Sequence, residues 1–193
     1  MSIINETITA IRATIVLWLL TALIYPFFLI AIGQVVFPYQ ANGSLITNER
    51  QVVGSALIGQ PFSGDRYFRS RPSTTNYSTS EDAAPTGVSG ASNLAPYNPE
   101  LLERVEATTV ELQQAGIKPV GDLVYASGSS LDPHISPEAA RAQIQRVAQT
   151  RGLDTNQVEI LMNKNTDGRF LGIFGEPGVN VLKLNLALDA ADG

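Results

Sequence analysis

The sequence predicts a mixed α/β (α+β) soluble domain anchored by one N-terminal transmembrane helix. Three observations carry this: a long charge-free apolar run near the start, two proline-headed helix signals further on, and short apolar segments with β-type spacing. At 193 residues the chain has room for one domain besides the anchor. The expected organisation is a short cytoplasmic N-terminus (1–12), a transmembrane helix (13–36) and an extracytoplasmic mixed α/β domain (37–193) containing a long polar loop (69–98).

Ala13 to Gly33 reads ATIVLWLLTALIYPFFLIAIG, 21 residues without a charge. At 1.5 Å rise per residue this is roughly 31 Å of helix, the thickness of a bilayer core. Phe37, Pro38 and Tyr39 follow at the headgroup level, as an aromatic belt does. Pro26 bends the helix, and its missing N–H leaves the Ala22 carbonyl to be satisfied by Thr21, a neighbouring helix or local rewinding. The run is too long for a cleaved signal peptide, and Phe37-Pro38-Tyr39-Gln40 replaces a small-residue cleavage site. Arg12 and the α-amine against Glu6, compared with Arg50 against Glu49, bias the N-terminus inward. The absence of cysteine fits a domain outside the cytoplasm. Setting aside Arg12 and Glu6 leaves 12 Lys+Arg against 17 Asp+Glu after residue 36, the wrong sign for nucleic-acid binding.

Beyond the membrane, Gln40 to Gly43 signals a turn and Gln51 to Ile58 a first strand. Residues 69–98 are dominated by Ser, Thr, Asn, Pro, Gly and Ala, and a loop of that length inside a domain is commonly committed to binding. Asn98-Pro99-Glu100 caps and opens a helix ending before Gly116, with Leu101, Leu102, Val105, Leu112 and Ala115 on its apolar face. Ser136-Pro137-Glu138 repeats the signal, with a stripe of Ala140, Ile144, Val147 and Ala148 ending near Gly152; a third helix begins at Thr155. Gly121 to Ala126 reads as a short strand. Phe170 to Phe174 and Val179 to Leu188 read as a hairpin, with Leu182, Leu184, Leu186 and Leu188 alternating toward one buried face.

Chemistry is sparse. With no cysteine and a single histidine, His134, a zinc site is excluded; a carboxylate site for magnesium or calcium stays open, although no acidic run resembles an EF-hand loop. Ser127, Ser129, Asp132 and His134 gather the residue types of a serine hydrolase, without a G-x-S-x-G elbow. The simpler reading gives Asp132 an Asx turn ahead of Pro133, with His134 leading into the Ser136 cap. Arg66, Arg69 and Arg71 suggest either a phosphate clamp or a salt-bridge set with Asp65 and Glu81. No phosphate-binding glycine loop is present, so a membrane-anchored serine hydrolase and a ligand-binding module using the 69–98 loop stand as alternatives to a noncatalytic role.

Ordered signatures along nearly the whole chain resemble the C subunit of the Kdp potassium-transporting ATPase, a bacterial and archaeal complex. They are Gln40-Ala-Asn-Gly-Ser-Leu-Ile46, Gly54-Ser-Ala-Leu-Ile-Gly-Gln60, Tyr67-Phe68 with Arg71-Pro72-Ser73, Ser92-Asn93-Leu94, Ser127-Gly128-Ser129, Gln143, Arg146-Val147-Ala148, Val179-Asn180-Val181 and Leu184-Asn185-Leu186-Ala187-Leu188-Asp189. Ala91 and Ala95 stand where the family commonly has glycine. The resemblance implies a noncatalytic subunit that stabilises the assembly and raises the ATP affinity of a P-type ATPase subunit, beside a channel-like potassium-binding subunit, in the bacterial inner membrane. By the same resemblance ATP and potassium are handled by the complex, this chain holds no cofactor or metal, and Gln143 and Arg146 carry the nucleotide-affinity role. Pro26, Tyr67, Phe68, Arg71, Asn93, Asp132, Asn180 and Asn185 are the expected partner-interface positions.

Overall fold

The computed structural model describes residues 2–48, 50–79 and 87–191; Glu49 and Glu81, used in the charge arguments above, lie outside them. The chain divides into two compact units, Met1–Leu45 and Ile46–Gly193. The first is built on a helix, Ile3–Val36, of 34 residues, the one helix among the described residues long and apolar enough to cross a membrane. It begins ten residues before the apolar run, and within that first stretch Thr7 and Thr9 return their hydroxyls to the carbonyls of Ile3 and Asn5. Its parts are α1 (Ile3–Trp18), a π-helical turn (Leu19–Ile24) and α2 (Tyr25–Val36), followed by a short α3 (Pro38–Ala41). The wide turn sits immediately before Pro26, so rewinding accommodates the proline. Thr21 serves the carbonyl of Leu17, at 2.8 Å, rather than that of Ala22.

The second unit mixes helices and two small sheets. Strands β1 (Leu45–Asn48) and β2 (Gln51–Ser55) pair with each other, and β3 (His134–Ile135), β4 (Thr166–Asp167) and β5 (Gly178–Asn180) form an antiparallel sheet in the order β3-β5-β4. β2 stops at Ser55, three residues short of the expected end, where Ser55 turns the chain by accepting from the Leu57 N–H.

Helix α4 (Pro99–Gln114) carries its Asn98 cap, accepting from Glu100 N–H at 2.9 Å, and α6 (Pro137–Arg151) its Ser136 cap, accepting from Ala139 N–H at 3.2 Å. On α4 only Leu112 of the expected face is fully buried, and Leu102 is exposed. The whole expected α6 stripe is buried. α7 (Thr155–Lys164) begins where expected, behind an Asp154–Gln157 capping box.

Two expected strands are helices. Gly121–Val124 is the helical turn α5, in which the adjacent Leu123 and Val124 are both buried; a strand would send them to opposite faces. Val181–Ala191 is α8. Its buried Val181, Leu184, Asn185 and Leu188 lie at i, i+3, i+4 and i+7, a helical stripe hidden inside the alternating leucines. Asn180 Oδ1 starts it by accepting from the Lys183 N–H at 3.1 Å. The expected partner arm, Phe170 to Phe174, is a tight turn closed by its own backbone pair.

Phe68, Ile117, Ile135, Val147, Val158, Met162, Val179, Leu184 and Leu188 form the centre of the core. Close approach explains two motif glycines. A Cβ on Gly59 would lie 2.5 Å from the Tyr77 ring and 2.7 Å from the Asp132 carbonyl, and one on Gly54 would run into Gln60 and Leu182. Gly59→Ala is expected to lower the thermal midpoint of the domain, at a cost of about 2 kcal/mol, because the clash includes backbone; an unchanged melt would show that this packing yields freely.

Candidate functional site

Residues 65–69 belong to no strand; Asp65 and Arg66 are exposed, Phe68 is buried in the core, and the segment's peptide groups take partners from side chains. Four residues supply them. Asn185, on α8, accepts from Phe68 N–H at 2.8 Å and donates to Phe68 C=O at 3.0 Å. Gln143, on α6, does the same for Arg69, at 2.8 and 3.1 Å. Each carboxamide thus imitates the edge of a β-strand. Arg146 donates to the carbonyls of Asp65 and Tyr67 (2.8 Å for the latter) and to Gln143 Oε1 at 3.1 Å, and Arg151 Nε donates to Arg66 C=O at 2.7 Å. Burial, and then the neighbouring Arg69 charge, lowers the pKa of the Arg146 guanidinium, with Asp65 opposing the shift.

Gln143 and Arg146, one helical turn apart, are therefore brought together with Tyr67, Phe68 and Asn185 into a clamp on this segment, and both are buried. Of the expected interface positions, Phe68, Asn180 and Asn185 are buried within the domain, at 0%, 1% and 1% exposure. Asn180 instead donates to the Ala56 carbonyl at 2.8 Å. Tyr67 closes the outer edge of the clamp: its hydroxyl meets Asp189 at 3.2 Å, and the Arg66 and Arg151 guanidiniums stand 5.7 and 5.1 Å from its ring centre. Asn93 is exposed at φ +52°, and Pro26 lies in the helical unit.

Arg66, Arg69 and Arg71 all face carboxylates. Arg66 is 3.9 Å from Asp189, Arg69 is 2.8 Å from Glu111 and 3.6 Å from Asp65, and Arg71 is 3.4 Å from Asp132 and 3.8 Å from Asp122. Charges so compensated form a salt-bridge set rather than a phosphate clamp. Tyr77 packs beside Arg71 and donates to its carbonyl; burial pushes the phenol up to about 12.

The serine-rich loop has no triad geometry. Ser127 Oγ accepts from Ser129 and Ser130 N–H, at 3.3 and 3.2 Å, and buckles its own turn. The same loop fastens the polar 69–98 segment: Ser127 N–H donates to Pro72 C=O, Ser73 Oγ to Ser130 C=O and Gly90 N–H to Ser129 C=O. Asp132 forms the expected Asx turn, accepting from His134 N–H at 3.0 Å. The His134 ring lies between two carboxylates, with Nδ1 3.7 Å from Asp132 and Nε2 2.9 Å from Asp167, leaving neither nitrogen directed at a serine. Among the described residues no group of three or more His, Cys, Asp or Glu could hold a metal ion.

The Asp132 carboxylate, followed by Asp167, raises the His134 pKa, and His134 lowers that of Asp132. The histidine's contribution to stability is complete below its unfolded value of about 6.5 and is lost as pH rises through its raised folded value. The aspartate's is present above its unfolded value of about 3.9 and is lost as pH falls through its lowered one. The pair therefore supports the fold best at roughly pH 4–6.5. Because His134 is the chain's single histidine, a proton NMR titration reads it directly. Its midpoint is expected above 6.5 and lower in Asp167→Asn; identical midpoints in the two proteins would remove Asp167 from the pair.

Sequence reasoning missed Arg151, Asp189, Asp122 and Asp167 as partners in these networks. They pair with residues from 33 to 122 positions away, and no local pattern announces such contacts.

The family model described as K+-transporting ATPase, c chain, matches residues 7–190. A relative from Microcystis aeruginosa named potassium-transporting ATPase KdpC subunit is 65% identical, over 98% of each chain. A Nostoc relative is 62% identical over 98% of each chain, and a Synechocystis relative 61% identical over 96% of this chain and 98% of its own. With the match running through the apolar helix, the clamp and the C-terminal helix alike, the chain belongs to the KdpC family, the c chain of the K+-transporting ATPase.

Proposed function

We propose that this chain is the membrane-anchored accessory subunit of an ATP-driven potassium import complex, stabilising the assembly and raising the ATP affinity of its P-type ATPase subunit. The observation that carries the reading is the extent of the family match, residues 7–190, which takes in anchor and domain together. The N-terminus lies in the cytoplasm of a bacterial cell and the domain outside its inner membrane, following the weak charge bias around the helix. ATP hydrolysis and potassium binding belong to the ATPase and channel-like partner subunits; this chain is not an enzyme and binds neither ATP nor potassium as a cofactor.

Gln143 and Arg146 act on nucleotide affinity from a distance. Their polar atoms are turned onto residues 65–69, and an extracytoplasmic domain stands across the membrane from a cytoplasmic nucleotide site. By setting the shape of that segment they set how well the domain binds one conformation of its partner. Any preference for one conformation changes affinity at a remote site that distinguishes the same conformations, by a reciprocal coupling no larger than that preference.

The test is a host strain lacking this chain. High-affinity potassium uptake is expected to be lost, and residual complex to need roughly ten-fold more ATP for half-maximal hydrolysis. Unchanged uptake and ATP dependence would reject the reading. Protease added to intact spheroplasts should remove the C-terminal domain; protection would reverse the orientation.

A further inference from the structure

The connection between β4 and β5 carries an apolar knob that the fold does not use. Phe170, Leu171, Ile173 and Phe174 are 71%, 74%, 72% and 62% exposed. Together they present on the order of 500 Å² of apolar side chain, the size of the largest patch on a typical monomer and commonly a sign of an interaction site. The knob is pre-shaped. Phe170 and Phe174 exchange backbone hydrogen bonds at 2.8 and 3.0 Å, and Leu171 and Gly172 turn at φ +53° and +75°. Arg169 and Glu176 close its base, with Arg169 Nη2 donating to both carboxylate oxygens at 3.0 and 2.9 Å. Leucine at positive φ is conformationally unfavourable, and here its side chain is exposed rather than packed in the core.

We propose that this knob is the anchor by which the domain docks into an uncharged apolar recess on a membrane-resident partner subunit of the transport complex. The inference rests on the functional reading above and deepens it. A turned aromatic and aliphatic tip above a satisfied ion pair has the anatomy of an interface anchor: apolar centre, polar edge, little ordering left to do on binding. A lipid surface is the poorer occupant. The tip's only cation is neutralised by Glu176, and the chain carries a net charge of −5, so anionic headgroups would repel it. A second copy carries the same net charge and is disfavoured in the same way.

The experiment uses the full chain, tagged and co-expressed with the ATPase and channel-like subunits, then recovered from gently solubilised membranes. Two variants test the knob: Phe170→Ser with Phe174→Ser, and Leu171→Asn. Asparagine tolerates positive φ, so the second variant should melt no lower than the parent while still losing the anchor. Recovery of partner subunits is expected to fall roughly ten-fold in both. Recovery equal to the parent's would overturn the proposal. If the parent recovers no partner, the functional reading itself fails and takes this inference with it. A third measurement separates the occupants: with Trp18→Phe removing the native indole, Phe170→Trp should shift its emission to the blue only when partner subunits are present. The same shift in lipid vesicles alone, or in a dimer of the chain alone, would assign the knob to lipid or to a second copy and overturn the proposal.

Discussion

Arg146→Ala is expected to destabilise the domain by about 3–5 kcal/mol, a large share of the roughly 5–15 kcal/mol that holds a typical domain together. The guanidinium donates to the Tyr67 carbonyl and shares Gln143 Oε1 with the Arg69 N–H, and its side chain is 8% exposed. Removing it takes a donor from the Tyr67 and Asp65 carbonyls and leaves Gln143 Oε1 with the Arg69 N–H alone. Its 3.8 Å approach to the Asp65 carboxylate matters little by comparison, since that side chain is 68% exposed. Arg146→Lys should recover little, because one ammonium group cannot span three acceptors arranged around a planar fork. Urea unfolding of the membrane-released domain gives the number, and a loss below about 1 kcal/mol would mean that the clamp is not structural. Since Arg146 and Gln143 touch, their double variant should be less than additive.

Asn185→Asp is expected to make the stability of the domain depend on pH in a sense opposite to ordinary acid unfolding. The native carboxamide both accepts from and donates to Phe68. A carboxylate keeps the acceptor but turns its second oxygen against the Phe68 carbonyl, so burial and that carbonyl both raise its folded pKa. An acid with a raised folded pKa is most stabilising below its unfolded value of about 3.9, and that contribution is lost as pH rises through the folded value. The variant should therefore sit about 3 kcal/mol below the parent at pH 7 and approach it near pH 4, where the protonated acid can again donate. Thermal midpoints of parent and variant across that range decide it: a constant difference would show that the site is open to solvent.

How much of this was legible beforehand follows from the range of each interaction. Helix starts at Asn98, Ser136 and Asp154 depend on groups two or three residues apart, so residue type and spacing reveal them. The Asx turn at Asp132 is equally local. The C-terminal helix was misread because its leucines satisfy a period of two as well as a helical one, and only packing of Val181, Leu184, Asn185 and Leu188 into the core breaks the tie. Phe68, Asn180 and Asn185 stood out as motif residues, but motif spacing carries no information about burial. Their roles are internal, as the polar contacts of Asn180 and Asn185 with segments 124 and 117 residues away make plain.

The amino-acid order by itself determined the apolar helix, the capped helices and the scarcity of catalytic chemistry, because hydrophobic length, capping and composition act over one or two turns of chain. Tertiary structure alone decided that Gln143, Arg146 and Asn185 would clamp residues 65–69, that His134 would face two carboxylates instead of a serine, and that Phe170 to Phe174 would project as an unburied knob. Those outcomes depend on which distant buried polar groups must find one another once water is excluded, a condition that exists only after the chain has packed.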